Sequence, residues 1–457
     1  MLGQDNRSSF SGKIGYVLAA AGASVGLGNI WRFPYLCAKY GGGIFLVVYI
    51  LLALTFGYTM IIAETAIGRF TRKSPVGAFS KLGNDSLGMK IGGWINAVIP
   101  ILIVPYYSVI GGWVCKYLYA YLTSPVKDIA DASFFTGFIS DGTASEFWFI
   151  VFMLMVLVVI FMGVENGIEK VSRIMMPILV VLAIIISVYS VTRPGALAGV
   201  KYMLVPDFQH FSWMTVVSAM GQMFYSLSIA MGILITFGSY IKKEVSIEAA
   251  TRQVEFFDTA IAILASLMII PAVFAFSGGD PETLHAGPSL MFITMPQIFA
   301  SMGFGRIVGI LFFALVLFAA LTSAIALTES AVSTFADEFK WNRRKGTVIM
   351  AVIMVILGSL SSLGNGPLEN VKIIGMQFLD FFDFLTNSVM MPIAAFATCI
   401  LVVFYMTIDK VEEEVVYGNH LFKRKKVFSF MIKYLCPIFV VIILISSIAS
   451  VLGFITF

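Results

Sequence analysis

Stretches of about 20 mainly apolar residues recur along this chain from Lys13 to its last residue, and they leave it few ways to fold. At 1.5 Å of rise per residue, each is long enough as a helix to cross a hydrocarbon layer roughly 30 Å thick. Of the 457 residues, 59% are hydrophobic and only 12% charged, whereas a soluble domain carries about a quarter charged residues. No polar stretch could build a separate core. The sequence therefore predicts an all-α membrane protein, one transmembrane domain over 1–457, with helices over 11–38, 43–69, 92–121, 146–163, 168–191, 213–240, 252–276, 306–337, 346–363, 374–406 and 428–456. Between the seventh and eighth, residues 277–305 are too broken by Gly and Pro to span and too apolar for a free loop. Short helices folded back over one mouth are expected there.

Basic clusters at 69–73, 241–243, 340–345 and 423–426 all fall on one side if the amino terminus is cytoplasmic. The positive-inside rule then orients the chain, and eleven crossings place the carboxyl terminus outside the cytoplasmic membrane. These anchors account for the net charge of +4, which gives no reason to expect nucleic acid as a partner. The polar first residues lack a small-residue cleavage site, so the first helix is read as the insertion signal and no removable signal peptide is expected. Cys37, Cys115, Cys399 and Cys436 have no CxxC or paired-loop spacing and are expected as buried small residues, without metal or disulfide. His210, His285 and His420 fall in separate predicted loops, and no Ser-His-Asp, HExxH or P-loop pattern suggests an enzyme.

The first helix contains an anomaly. "GASVGLGNIWR" crowds Gly22, Gly26 and Gly28 together, then adds the amide of Asn29 and the charge of Arg32. A GxxxG packing face would explain Gly22 and Gly26 but neither Gly28 nor Asn29. Non-helical backbone at membrane depth survives only where it lines a cavity or is buried in protein, and its free carbonyls and amides are ready ligands. The sixth helix repeats the oddity, with Gln222, Tyr225, Ser226 and Ser228 in mid-span and Gly232 closing the cluster. Interrupted helices five apart are the sign of a five-plus-five inverted repeat, here 11–191 and 213–406, with 428–456 as an extra helix. Half-helix ends turn amides toward an anion and carbonyls toward a cation. The breaks in helices one and six are thus read as a binding site.

With "GLGNIWRFPY", "AETAIGRF", "YY" at 106–107, "GQMFYSLS" and "ALTSAIAL" on view, nearly the whole chain resembles the neurotransmitter:sodium symporter family. Eleven helices are similar to its prokaryotic branch, which includes the bacterial leucine and tyrosine transporters. The resemblance implies sodium-coupled, chloride-independent symport of a neutral L-amino acid into the cell by alternating access, with two sodium ions. The first sodium would be held by the Ser24 carbonyl, Asn29, Ser226, Asp258 and the substrate carboxylate. The second would lie between the carbonyls of Gly22, Val25 and Ala319 and the hydroxyls of Thr322 and Ser323. All-oxygen sites suit a hard cation. The substrate carboxylate would meet the amides of Leu27 and Gly28 and the Tyr107 hydroxyl. Its ammonium would meet the carbonyls of Ser24, Tyr225 and Ser226, helped by Ser228. Ile103, Tyr107, Tyr225, Met231, Ser323 and Leu327 would wall the side chain.

Two departures from the family pattern are informative. Asp258 stands where many members have asparagine, close to the position at which animal members bind chloride beside residues matching Tyr49, Gln222 and Ser226. Its carboxylate is expected to replace that anion. Ala230 precedes Met231 where glycine is common, which should restrict the unwound segment, and the pair suggests a large hydrophobic or aromatic substrate side chain. The resemblance further implies an outer gate of Arg32 and Asp383 and an inner gate of Arg7 and Asp337, with Phe10 and Tyr240 beside the inner pair. Glu64 is expected to serve backbone freed by the sixth helix's break. Gly167 and Pro177 would let the fifth helix unwind toward the second sodium. A sodium-dependent receptor or channel-like protein on the same fold is the alternative.

Overall fold

In the computed structural model, residues 8–278, 287–418 and 420–451 are described here. Nine unbroken apolar helices are long enough to cross a membrane among these residues. They are Gly43–Thr71 (helix two), Leu87–Thr123 (three), Gly142–Met162 (four), Val164–Val191 (five), Ile247–Ser277 (seven), Gly305–Phe339 (eight), Arg343–Leu363 (nine), Phe378–Met406 (ten) and Lys425–Ser450 (eleven). Helix one is the bent pair Lys13–Ser24 and Gly28–Lys39, whose halves meet at 54°. Helix six is likewise in two pieces, Trp213–Ser226 and Ile233–Ser239; with each broken pair counted as one crossing, the described residues make eleven. The two broken crossings stand five apart in chain order.

Several helices begin before their expected starts. Helix three starts at Leu87, not 92, helix four at Gly142, not 146, and helix seven at Ile247, not 252. Apolar runs report only the part inside the hydrocarbon, whereas a polar first turn is set by its cap. The Asp141 side chain accepts from the amides of Thr143 and Ala144 (3.0 and 3.2 Å), and Ser246 Oγ accepts from Ala249 N (3.3 Å). Helix ten, by contrast, starts four residues later than expected, at Phe378, because 364–377 is spent on turns. Helix eleven is described only to 451, short of the expected 456.

Burial separates inner from outer helices. The most apolar stretches of helices three and eight are 83% and 72% buried, while those of five and eleven are 33% buried. Three and eight therefore form the inner wall, and five and eleven turn much of their surface to lipid. Within the 277–305 stretch, Leu290–Ser301 is a helix, and residues 279–286 lie outside the described residues. Phe292 anchors it, stacked on Phe135 (5.1 Å, 10°), edge-on to Trp113 (5.8 Å) and in ring contact with Trp31 of helix one (6.5 Å).

One basic anchor is not solvated. Arg69, at the end of helix two, is wholly buried, with its Nε on Glu414 Oε1 (2.7 Å), Nη1 on the Val245 carbonyl (2.5 Å) and Nη2 on the Glu414 carbonyl. Lys243 reaches the same carboxylate at 2.9 Å. The short helix Ile408–Val416 is thereby clamped against helix two.

Candidate binding site at the helix breaks

Helix one stops at Ser24 because Val25 turns extended (φ −74°, ψ 95°) and the next amides find partners elsewhere. Gly26 N donates to Asn29 Oδ1 (3.1 Å) and Leu27 N to the Tyr107 hydroxyl (3.3 Å). On the carbonyl side, Ser323 Oγ of helix eight lies 3.2, 3.1 and 3.3 Å from the oxygens of Gly22, Ala23 and Val25. Ser228 Oγ also donates to the Ala23 carbonyl (3.1 Å), and Gln222 Nε2 to that of Gly28 (3.0 Å). Helices three, six and eight thus hold a backbone that has left its own helix, which buried peptide groups require.

Helix six opens between Leu227 and Gly232, where Ser228, Ala230 and Gly232 all have positive φ (53°, 59° and 69°). Ala230 N donates to Glu64 Oε1 (2.8 Å), so a buried carboxylate of helix two braces the opening. An L-residue in the left-handed region costs about 1–2 kcal/mol. Ala230 is therefore held in its conformation by these surroundings.

The breaks meet around Asp258 of helix seven, which is fully buried. Its Oδ1 accepts from Asn29 Nδ2 and Ser226 Oγ, both at 2.8 Å, and its Oδ2 from the Tyr49 hydroxyl at 2.8 Å. Asn29 Nδ2 lies 2.9 Å from Ser226 Oγ as well. Asn29, Ser226 and Asp258 thereby converge from three helices on one point. Around the Ser323 cluster the partners behave differently from one another. Thr322 Oγ1 bonds back to Phe318 and Ala319 of its own helix (2.9 and 3.2 Å), whereas Ser323 faces helix one.

Beside these groups lies a narrow central chamber with about 350 Å³ of empty space. Its wall contains Ser24, Leu27, Gly28, Ile103, Tyr107, Tyr225, Ser226, Ser228, Met231, Ser323 and Leu327, together with Ala23, Gly26 and Asn29. Ala23 and Gly26 carry no polar side chain that a sequence reading could single out. Their part is close approach. A Cβ on Gly26 would stand 2.7 Å from Ser323 Oγ, and one on Gly28 would stand 2.6 Å from the Tyr225 ring.

The expected gates are arranged unevenly. The Arg32 guanidinium sits over the Tyr225 ring (5.5 Å), while Asp383 Oδ1 takes Asn387 Nδ2 (2.6 Å) and the Tyr106 hydroxyl (3.2 Å). Among the described residues, no ion pair joins Arg32 to Asp383. Arg7 lies outside the described residues. Asp337 Oδ2 accepts from Ser74 N (2.6 Å), and Phe10 packs edge-on to the Tyr16, Phe237 and Tyr240 rings. Two residues that the sequence did not single out, Glu329 and Arg343, stand alongside with the expected Tyr240. Buried Glu329 of helix eight takes both terminal nitrogens of Arg343 (3.0 and 2.5 Å) and the Tyr240 hydroxyl (2.7 Å). These residues border a polar vestibule with about 1170 Å³ of empty space. Helix five is continuous from Val164 to Val191, with Gly167 in an opening π-helical turn over Val164–Glu169 and Pro177 inside the α-helix that follows.

Comparison with known proteins gives this geometry its context. The family described as the Sodium:neurotransmitter symporter family matches residues 7–134 and 135–454. This chain belongs to that family. It is accordingly a sodium-dependent transporter that crosses the membrane many times, and not an enzyme. An uncharacterized sodium-dependent transporter of Bacillus subtilis (strain 168), YhdH, is 31% identical over 96% of this chain and 97% of its own length. The human sodium- and chloride-dependent GABA transporter 2 is 26% identical over 84% of this chain and 70% of its own. The crystal structure of MhsT in complex with L-phenylalanine is similar over 97% of this chain and 100% of that one, with 36% identity and a TM-score of 0.87.

Proposed function

We propose that this symporter couples sodium entry to uptake of a bulky neutral L-amino acid, with hydrophobic or aromatic side chains preferred. The observation that carries the reading is the convergence of Asn29, Ser226 and Asp258 beside the opened backbone of helix one. In this reading Asp258, Asn29, Ser226 and the Ser24 carbonyl hold a first sodium together with the substrate carboxylate. The Gly22, Val25 and Ala319 carbonyls, with Ser323 and Thr322, hold a second. Ser323 Oγ already stands at three helix-one oxygens, and on loading its hydrogen would turn away so that an oxygen lone pair faces the ion beside those carbonyls. Thr322 would turn from its own helix to join.

The substrate carboxylate is assigned to the Leu27 and Gly28 amides and the Tyr107 hydroxyl, and its ammonium to carbonyls at the helix-six opening. Ile103, Met231 and Leu327 would face the side chain. Phenylalanine bound to MhsT supports a large apolar substrate, and the flexible thioether of Met231 suits one. The chamber is narrow, so side-chain adjustment would accompany loading. Asp258 supplies next to sodium the fixed negative charge that a chloride ion would otherwise bring, so transport is chloride-independent. We assign the repeats to 11–191 and 213–406, the amino terminus to the cytoplasm and the carboxyl terminus to the outside. Alternating access would break the inner contacts of Asp337 and Glu329 and the outer contacts of Arg32 and Asp383 in turn.

Binding of labelled phenylalanine, titrated with sodium and competed by the common amino acids, tests the reading. Saturable binding in sodium but not potassium, displaced by large neutral side chains before glycine, is expected. A sodium-dependent receptor would bind in the same way but would not concentrate the substrate in liposomes.

A further inference from the structure

Away from the central chamber, helices two, seven and eleven leave a cleft with about 560 Å³ of empty space. One wall is apolar, formed by Ile50 and Leu54 of helix two and by Phe256 of helix seven, which is 69% exposed. The other wall holds Arg252, Glu255 and Arg424. Arg252 lies six residues from Asp258 toward the start of helix seven, about 9 Å along the axis. With its basic wall toward that end of helix seven and Phe256 exposed, the cleft suits the edge of a hydrocarbon layer.

Its charge is not balanced. Glu255 is buried and meets Arg424 only at 3.4 Å. Arg424 makes all its hydrogen bonds through Nη1, to Glu255 and to the Leu54 carbonyl, each at 3.4 Å, and lies over the Tyr58 ring at 4.8 Å. Its Nη2 and Nε have no hydrogen-bond partner among the described residues. Arg252 is exposed and has none either. Two guanidinium groups thus face one carboxylate. The other nearby carboxylate, Glu248, does not line the cleft and accepts from Lys423 N (2.7 Å). A guanidinium at the membrane boundary favours an acidic partner, and its planar fork matches phosphate.

We propose that this cleft binds an anionic phospholipid, with its phosphate between Arg252 and Arg424 and an acyl chain along Ile50, Leu54 and Phe256. The combination selects an anionic lipid: a free anion would leave the apolar wall uncovered, and a zwitterionic lipid would bring an ammonium of its own beside two guanidinium groups that face one carboxylate. The site is separate from the central chamber and does not depend on which substrate is carried. Each basic side chain near a membrane contributes roughly fivefold in preference for anionic lipid.

The test is native mass spectrometry of the full chain released from detergent, titrated with phosphatidylglycerol, phosphatidylcholine or inorganic phosphate. Phosphatidylglycerol should be retained at about fivefold lower concentration than phosphatidylcholine. Arg252→Gln should reduce that preference to below twofold and Arg252→Lys should keep most of it, both variants remaining monodisperse because the side chain is exposed. Equal retention of the two lipids, full preference in Arg252→Gln, or displacement of phosphatidylglycerol by millimolar inorganic phosphate would each overturn the proposal.

Discussion

Replacing Asp258 by asparagine probes the centre of the site with least change in shape. Asn Oδ1 can still accept from Ser226 and Asn29, which now approach Asp258 Oδ1 at 2.8 Å, while its Nδ2 would take the place of the oxygen that meets Tyr49. Reversing that one contact, a hydroxyl donating to a carboxylate, costs about 2 kcal/mol. Removing the charge costs more. A sodium ion about 4 Å from the carboxylate centre gains about 4 kcal/mol at an effective dielectric of about 20. Such a loss is roughly a thousandfold in affinity, and the amide dipole restores part of it. Asp258→Asn should therefore lower apparent sodium affinity by two to three decades, and chloride should regain part of the loss. The assay is sodium-dependent binding of labelled phenylalanine in chloride and in gluconate. Wild type should be indifferent to the anion. An Asp258→Asn protein with unchanged sodium affinity in both media would refute the charge argument.

Other outcomes follow from single contacts. Ser323→Ala removes the hydroxyl that lies against three helix-one carbonyls, and sodium affinity should fall at least about tenfold, one to two hydrogen bonds' worth, in the same binding assay. Gly28→Ala would press a methyl group into the Tyr225 ring and should abolish substrate binding while leaving the protein folded by thermal melt. Ala230→Gly relieves a left-handed φ of 59° and should keep or raise affinity, whereas the β-branched Ala230→Val should lose it; equal affinities would contradict the strain argument. Glu329→Gln breaks the forked contact with half-buried Arg343, worth about 1–2 kcal/mol after allowance for solvent. Thiol labelling of Ala336→Cys in the vestibule should then speed up roughly tenfold.

How far the sequence reached depended on what kind of signal each feature leaves. Asn29, Gln222, Ser226 and Asp258 are polar residues inside apolar runs, and such contrasts can be read without coordinates. Ala23 and Gly26 also line the chamber but look like ordinary helix-packing residues, because their contribution is a short approach rather than a side chain. Glu329 and Arg343 lie fourteen residues apart across a turn, and only the hairpin of helices eight and nine brings them together. Arg69 reads as an interfacial anchor within a basic cluster, yet Glu414, 345 residues away, makes it a buried one. Helix ends were missed where capping side chains, which hydropathy does not register, extend a helix beyond the hydrocarbon.

The central claim is coupling, and uptake into liposomes addresses it directly. Purified protein is reconstituted, loaded with potassium buffer, and diluted into sodium or potassium medium containing labelled L-phenylalanine. An inward sodium gradient should drive accumulation above the external concentration, collapse when a sodium ionophore is added, and be insensitive to replacement of chloride by gluconate. Equal phenylalanine levels inside and outside under the sodium gradient, despite sodium-dependent binding, would contradict symport and leave a receptor or channel on this fold.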